Sequence, residues 1–280
     1  MSLTQPAVSD QVRKLEETYD LILFNRQKKQ VTLTQAGHQL LALTRRMFDN
    51  EQQVLELLEE SRVLQSGTLR IIVDAASHLS PMLSLFRERF PGVRVSMKTG
   101  NTETVIAGLH AYQADVGILG EIPRSQDFEV VKLSSSPIIA FVAATHPLAG
   151  LENVSLRKLA SYPLALRERG SKTRQKLEDR ALAAGIPLHP AIEVEGRESL
   201  HEIVAAGDCV AFVSLAEFGH DPRVVPIRIT GADMIMDVAL ICLRERSSSK
   251  LVRTILEIAA SLYGQEPPQQ VFGRRFSAAL

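Results

Sequence analysis

The chain has 280 residues, with 32 basic and 32 acidic side chains, no tryptophan and 5% aromatic residues. So few aromatic rings argue against a single-strand binder that works by base stacking, and overall neutrality means that any phosphate-binding patch must be local. No apolar run approaches membrane-spanning length and no secretory leader precedes the first helix, which predicts a cytoplasmic protein that does not engage a membrane.

The first element predicted is a helix beginning at Thr4. Thr4 suits the N-cap and Pro6 the first turn, while Ala7, Val8, Val12 and Leu15 form an apolar stripe at helical spacing. Thr4, Gln5, Ser9, Asp10 and Arg13 make the other face, a set of short hydrogen-bonding groups and one long cation. These side-chain types reach base edges and phosphates from a recognition helix, although any amphipathic surface helix has a polar face. A hairpin follows, with Asn25-Arg26-Gln27-Lys28-Lys29-Gln30 at its tip and Val31-Thr32-Leu33 alternating after it. Thr34 then caps a second helix. From Phe24 to Arg46 the cations Arg26, Lys28, Lys29, Arg45 and Arg46 meet no acidic residue, a local run suited to phosphate contact.

Gln5-Pro6-Ala7-Val8-Ser9 with Arg13, Leu15 and Glu16, then Leu23-Phe24-Asn25-Arg26 and Leu33-Thr34-Gln35-Ala36-Gly37, stand in the order and spacing of a known signature. The segment resembles the winged helix-turn-helix of LysR-type transcriptional regulators. The resemblance implies that Thr4, Gln5, Pro6, Ser9 and Arg13 face double-stranded DNA, with Arg26, Lys28 and Lys29 on the wing. It also implies two further helices before the recognition helix, and Met1 stands almost at that helix's start. A partial reading head over residues 1–37 with impaired DNA binding is therefore expected, with a cytoplasmic small-molecule binding protein as the contrasting reading.

Residues 35–64 read as one long helix, with Leu40, Leu43, Met47, Val54 and Leu58 near heptad spacing. The span 38–66 is expected to be a dimerising linker, because inverted-repeat operators need paired reading heads, and Ser66-Gly67 marks its end. Strands are then predicted over residues 69–73, 93–97, 116–119, 138–143, 163–166, 192–194, 210–213, 224–229 and 236–243. Helices are predicted over 79–90, 102–112, 172–184, 198–205 and 250–263. Parallel strands joined by helices imply a doubly wound α/β architecture over residues 67–264, followed by a tail at 265–280. Chain crossings near residues 134–141 and 236–243 would make paired lobes resembling the periplasmic-binding-protein fold, as in the LysR effector domain.

Ligands of such folds lie beyond the carboxyl ends of strands, against helix N-termini. That rule selects Ser77, His78, Asn101, Thr102, Arg169, Ser171, Arg197 and Glu198, all at strand-to-helix corners, and Glu217 after a further strand. Hydroxyls, amide and guanidinium groups suit an anion, and Glu198 or Glu217 suits an ammonium. Helix capping is the plainer role for the same Ser, Thr and Asn residues. Arg167-Glu168-Arg169-Gly170-Ser171 with Thr173, and Glu217-Phe218-Gly219 with Asp221-Pro222-Arg223, resemble the LysR subgroup associated with 2-aminoethylphosphonate catabolism. That resemblance implies an anionic or zwitterionic effector.

Cys209 and Cys242 flank apolar runs and are expected to be buried thiols. His78, His110, His146, His201 and His220 lack metal-ligand spacing, and neither a phosphate-cradling glycine loop nor a nucleophile elbow occurs. No enzyme, metal or cofactor is expected; the predicted partners are DNA, a small molecule and further copies of the chain.

Overall fold

The computed structural model describes residues 4–27, 30–58, 67–74, 76–231 and 233–264. The chain divides into two compact units, Met1–Leu58 and Glu59–Leu280. Among the described residues no helix is long and apolar enough to cross a membrane.

The first unit holds α1 (Gln5–Tyr19), the antiparallel hairpin β1 (Phe24–Gln27) and β2 (Gln30–Leu33), and α2 (Gln35–Leu58). Its joints are local polar contacts. The Glu16 carboxylate accepts from the backbone N–H groups of Leu23 (2.7 Å) and Phe24 (3.1 Å), which aims the chain from α1 into the hairpin. The Thr34 hydroxyl accepts from Gly37 N at 3.0 Å and donates to Ile22 O at 2.6 Å, so the expected cap both starts α2 and ties it to the segment before β1. Thr4 has the extended backbone of an N-cap, but its side chain makes no capping bond. The stripe expected to face inward is only partly covered: no residue of α1 is buried, Ala7 and Val12 are half-buried, and Val8 and Leu15 are 44% and 40% exposed. The part of the predicted long helix beyond Leu58, its proposed end at Ser66 and the tail 265–280 lie outside the described residues.

The second unit carries strands β3 (Thr68–Val73), β4 (Arg94–Thr99), β5 (Val116–Leu119), β6 (Phe128–Ala143), β7 (Asn153–Ser155), β8 (Leu164–Arg167), β9 (Pro190–Val194), β10 (Ala211–Ser214), β11 (Val224–Thr230) and β12 (Ile235–Leu243). Its helices are α3 (Leu79–Arg89), α4 (Thr102–His110), α5 (Leu156–Leu159), α6 (Lys172–Ala183), α7 (Arg197–Ala206) and α8 (Lys250–Tyr263). One lobe is the sheet β4-β3-β5-β12 completed by the first part of β6, which pairs with β12 from Phe128 to Pro137. From Ile138 onward β6 pairs instead with β10 and β11, which with β7, β8 and β9 build the second lobe. β6 is thus the outward crossing, as expected near residues 134–141. The return comes just before β12, where Ile138 N donates to Met234 O.

The expectation of a parallel sheet holds only inside the lobes. β3 pairs parallel with β4 and β5, β8 with β9, and β7 with β11, whereas β6 and β12 run antiparallel to their neighbours. The reason is that the two crossing strands must travel in opposite directions to leave and re-enter the first lobe. The part of β6 before Ile138 escaped the predicted strands because Ser134-Ser135-Ser136-Pro137 breaks the apolar run. One apolar cluster runs through both lobes, from Ile71 and Phe86 past Leu133 and Ile138 to Leu164 and Phe212. Buried Leu and Phe side chains contribute about 1.5–3 kcal/mol each to such a core. Cys209 and Cys242 are free and buried, and burial pushes the Cys242 thiol up to about 12. His146 serves a turn, with Nδ1 accepting from Leu148 N and Nε2 3.1 Å from Asp208 O.

Candidate functional site

In the first unit Thr4, Gln5, Pro6, Ser9 and Arg13 are all exposed on α1 and its cap. Arg13 Nε donates to Glu17 Oε1 at 2.9 Å, a solvent-facing pair that a phosphate or base edge can replace at little cost. Arg26 lies in β1, and Lys28 and Lys29 lie outside the described residues.

In the second unit the strand ends and helix starts of both lobes meet in one polar cluster. Arg167, at the end of β8, is 8% exposed and reaches Asp74 Oδ1 of the other lobe at 3.2 Å. Its Nε and Nη2 also donate to the Glu168 carboxylate at 2.8 and 2.9 Å. Burial pushes the Glu168 carboxyl up, but hydrogen bonding to Arg167 and its charge win and bring it to about 2. Asn101 is both cap and bridge: Oδ1 accepts from Thr104 N, while Nδ2 donates to Glu168 Oε1 and to Arg169 O, each at 3.2 Å. The approach requires glycine at position 170, where φ is +91° and a Cβ would stand 2.9 Å from Asn101 Nδ2.

Arg197, in the first turn of α7, donates to the backbone oxygen of Asp74 and lies 3.5 Å from Glu217 Oε2. Glu217 is raised above the usual carboxylate range by burial, which Arg197 only partly offsets. His78 is buried with Nε2 2.8 Å from Ser134 Oγ on the crossing strand, and burial with the nearby Arg197 charge lowers its imidazole to about 4. Farther along, Lys172 of α6 reaches Glu121 across the lobes at 2.7 Å. Two further groups stand out: Thr102 Oγ1 and Ser171 Oγ are buried without a hydrogen-bond partner, and Ser171 leaves the first turn of α6 without a side-chain cap.

Of the residues singled out from sequence, His78, Asn101, Thr102, Ser171, Arg197 and Glu217 border this cluster. Ser77 is exposed beside it, with Oγ 3.4 Å from His78 Nδ1. Arg169 and Glu198 are exposed; Arg169 contributes its carbonyl, not its guanidinium. Asp74, Arg167 and Glu168 were not singled out, although Arg167 and Glu168 sit in the motif that pointed to Arg169. All four residues of β8 are buried, Arg167 among them, and only the tertiary pairing with β9 and the bridge to Val210 places this short strand inside.

A family model described as "LysR substrate binding domain" matches residues 62–263, and one described as "Bacterial regulatory helix-turn-helix protein, lysR family" matches residues 1–38. The chain belongs to the LysR family. Members are transcriptional regulators, not enzymes, and they bind DNA and small-molecule effectors. This LysR regulator is 31% identical over 217 residues to the RuBisCO operon transcriptional regulator of Allochromatium vinosum, covering 77% of this chain and 72% of that one. It is 30% identical over 241 residues to the regulator CfxR of Cupriavidus necator, covering 85% and 74%. Among solved structures, a full-length OxyR variant from Pseudomonas aeruginosa superposes with a TM-score of 0.71 at 18% identity, over 96% of this chain and 90% of that one. CbnR in complex with its target DNA gives 0.66 at 20% identity, over 93% and 91%. These likenesses share the LysR fold.

Proposed function

We propose that this LysR regulator responds to a small anionic or zwitterionic metabolite held between the lobes of its second unit, and that it works in the cytoplasm as a homo-oligomer on duplex DNA. The observation that carries the effector reading is the pair of buried, unpartnered hydroxyls of Thr102 and Ser171, each at the start of a helix bordering the interlobe cluster. A buried hydroxyl without a partner costs about 1–3 kcal/mol, and a ligand oxygen relieves that cost. Helix N-termini favour negative charge there, and Glu217 and Asp74 offer carboxylates to an amine. 2-Aminoethylphosphonate satisfies both ends. The CcmR regulatory domain of Synechocystis, 21% identical with a TM-score of 0.63, covering 71% of this chain and 99% of that one, was solved in complex with 2-PG, which makes 2-PG the second compound to test.

Thermal shift of the full chain with 2-aminoethylphosphonate, 2-PG, sulfate, dicarboxylates and amino acids tests the proposal. At a hundred times its dissociation constant a ligand stabilises the fold by about 2.7 kcal/mol, a melting shift of several degrees. Thr102→Ala and Ser171→Ala should each weaken the best ligand. A best ligand that is neutral, or one indifferent to both substitutions, would refute the assignment.

A further inference from the structure

The cluster already contains an anion of its own. The Glu168 carboxylate accepts from Arg167 Nε and Nη2, from Asn101 Nδ2 on the opposite lobe, and from the N–H of Gly196 at the start of α7, at 2.8 to 3.2 Å. Gly196 has φ of +82°, which presents its N–H at that helix end. A buried guanidinium, a side-chain amide and a helix N-terminus converging on one carboxylate are the donors with which proteins hold bound carboxylates and phosphates. Nearby on the chain, Ser171 N donates to Glu168 O at 3.3 Å, while the Ser171 hydroxyl and that of Thr102, next to Asn101, have no partner. Donors for a second acceptor therefore stand close to a position that Glu168 occupies.

We propose that Glu168 is an internal stand-in for the anionic group of the effector: it joins the lobes through Asn101, and an anion binds by displacing it from Arg167 and Asn101. This deepens the effector reading of the same site by saying which donors are held back and by what. The charges agree with displacement. Arg167 faces both Asp74 and Glu168, so an incoming anion must compete with a carboxylate that is ionised down to about pH 2. Simple anions should consequently bind the unaltered protein weakly, and an effector needs its remaining groups to win the exchange.

Inorganic phosphate is the probe. Its dissociation constant is measured by calorimetry on the full chain, on Glu168→Ala and on Glu168→Gln, with melting curves confirming that each is folded. Removal of the stand-in should tighten phosphate by at least about tenfold in Glu168→Ala, and Arg167→Gln in that background should abolish the gain. Glu168→Gln covers the case in which the alanine variant does not fold, because it keeps shape and one acceptor while losing the charge; it should show a smaller gain of the same sign. Unchanged phosphate affinity in the folded variants, or a gain that survives Arg167→Gln, would overturn the proposal. A failure of every compound in the effector panel leaves this measurement intact, since phosphate reports on the donors directly.

Discussion

Arg167 and Asp74 form an ion pair at 3.2 Å between residues 93 positions apart in the chain, with both side chains largely buried. The pair bridges the end of one lobe's strand to the end of the other's. Two charges taken out of water gain little net stability as a pair, but removing one partner is costly because the other stays buried and unmatched.

Arg167→Met should accordingly destabilise the second unit by about 3–5 kcal/mol in urea unfolding, since it strands both Asp74 and Glu168. Conversion of Asp74 to Asn should cost less, because Glu168 still neutralises the guanidinium. Equal losses would show that the interlobe partner, not the neighbour on the same loop, dominates.

The pH dependence has two limbs. Glu168 titrates near 2 in the folded protein and near 4.5 when unfolded, so its stabilisation is complete above about pH 4.5 and is lost as pH falls toward 2. His78 is held neutral, titrating near 4 against an ordinary 6.5; the unfolded chain therefore takes up its proton first, and stability declines as pH falls from 6.5 to 4. Urea midpoints measured across this range should lose the upper limb in His78→Asn and flatten at the acid end in Glu168→Gln.

Dimerisation through α2 is expected from its uncovered apolar side chains, with Leu43, Met47 and Phe48 65%, 59% and 61% exposed and Val54 56% exposed. Sedimentation of Met47→Glu/Val54→Glu should shift toward the monomer. A mass that does not change would assign assembly to another surface.

DNA contact by α1 is tested at Arg13. If its guanidinium reads a base, Arg13→Ala should cost about 1–3 kcal/mol on the operator and relax preference at a single position, whereas uniform weakening with a salt slope shallower by about 1 marks a phosphate contact. Mobility shift against the duplex upstream of the gene, at several salt concentrations, distinguishes these outcomes. Comparable binding by the altered chain would remove Arg13 from the interface.

Much of the architecture was legible because it rests on short-range chemistry. Thr34 before Gly37 announces a helix start through a bond spanning three residues, and the predicted helix at 250–263 coincides with α8 because its apolar spacing extends over the whole element. The reading-head motif, the alternating strands and helices, and the corners that hold Asn101, Thr102, Ser171 and Arg197 were accessible for the same reason. Tertiary structure alone decided that β6 runs unbroken through Ser134-Ser135-Ser136-Pro137, since pairing of these four residues with β12, continued from Ile138 by pairing with β10 and β11, satisfies a backbone that the local residues leave undecided. It also decided which arginine enters the interlobe cluster. Arg167 and Arg169 lie two residues apart in one motif, but one is buried against Asp74 and Glu168 and the other is exposed. Charge pairing between distant segments leaves no periodic trace in a sequence; it exists only once two sheets have brought their strand ends together.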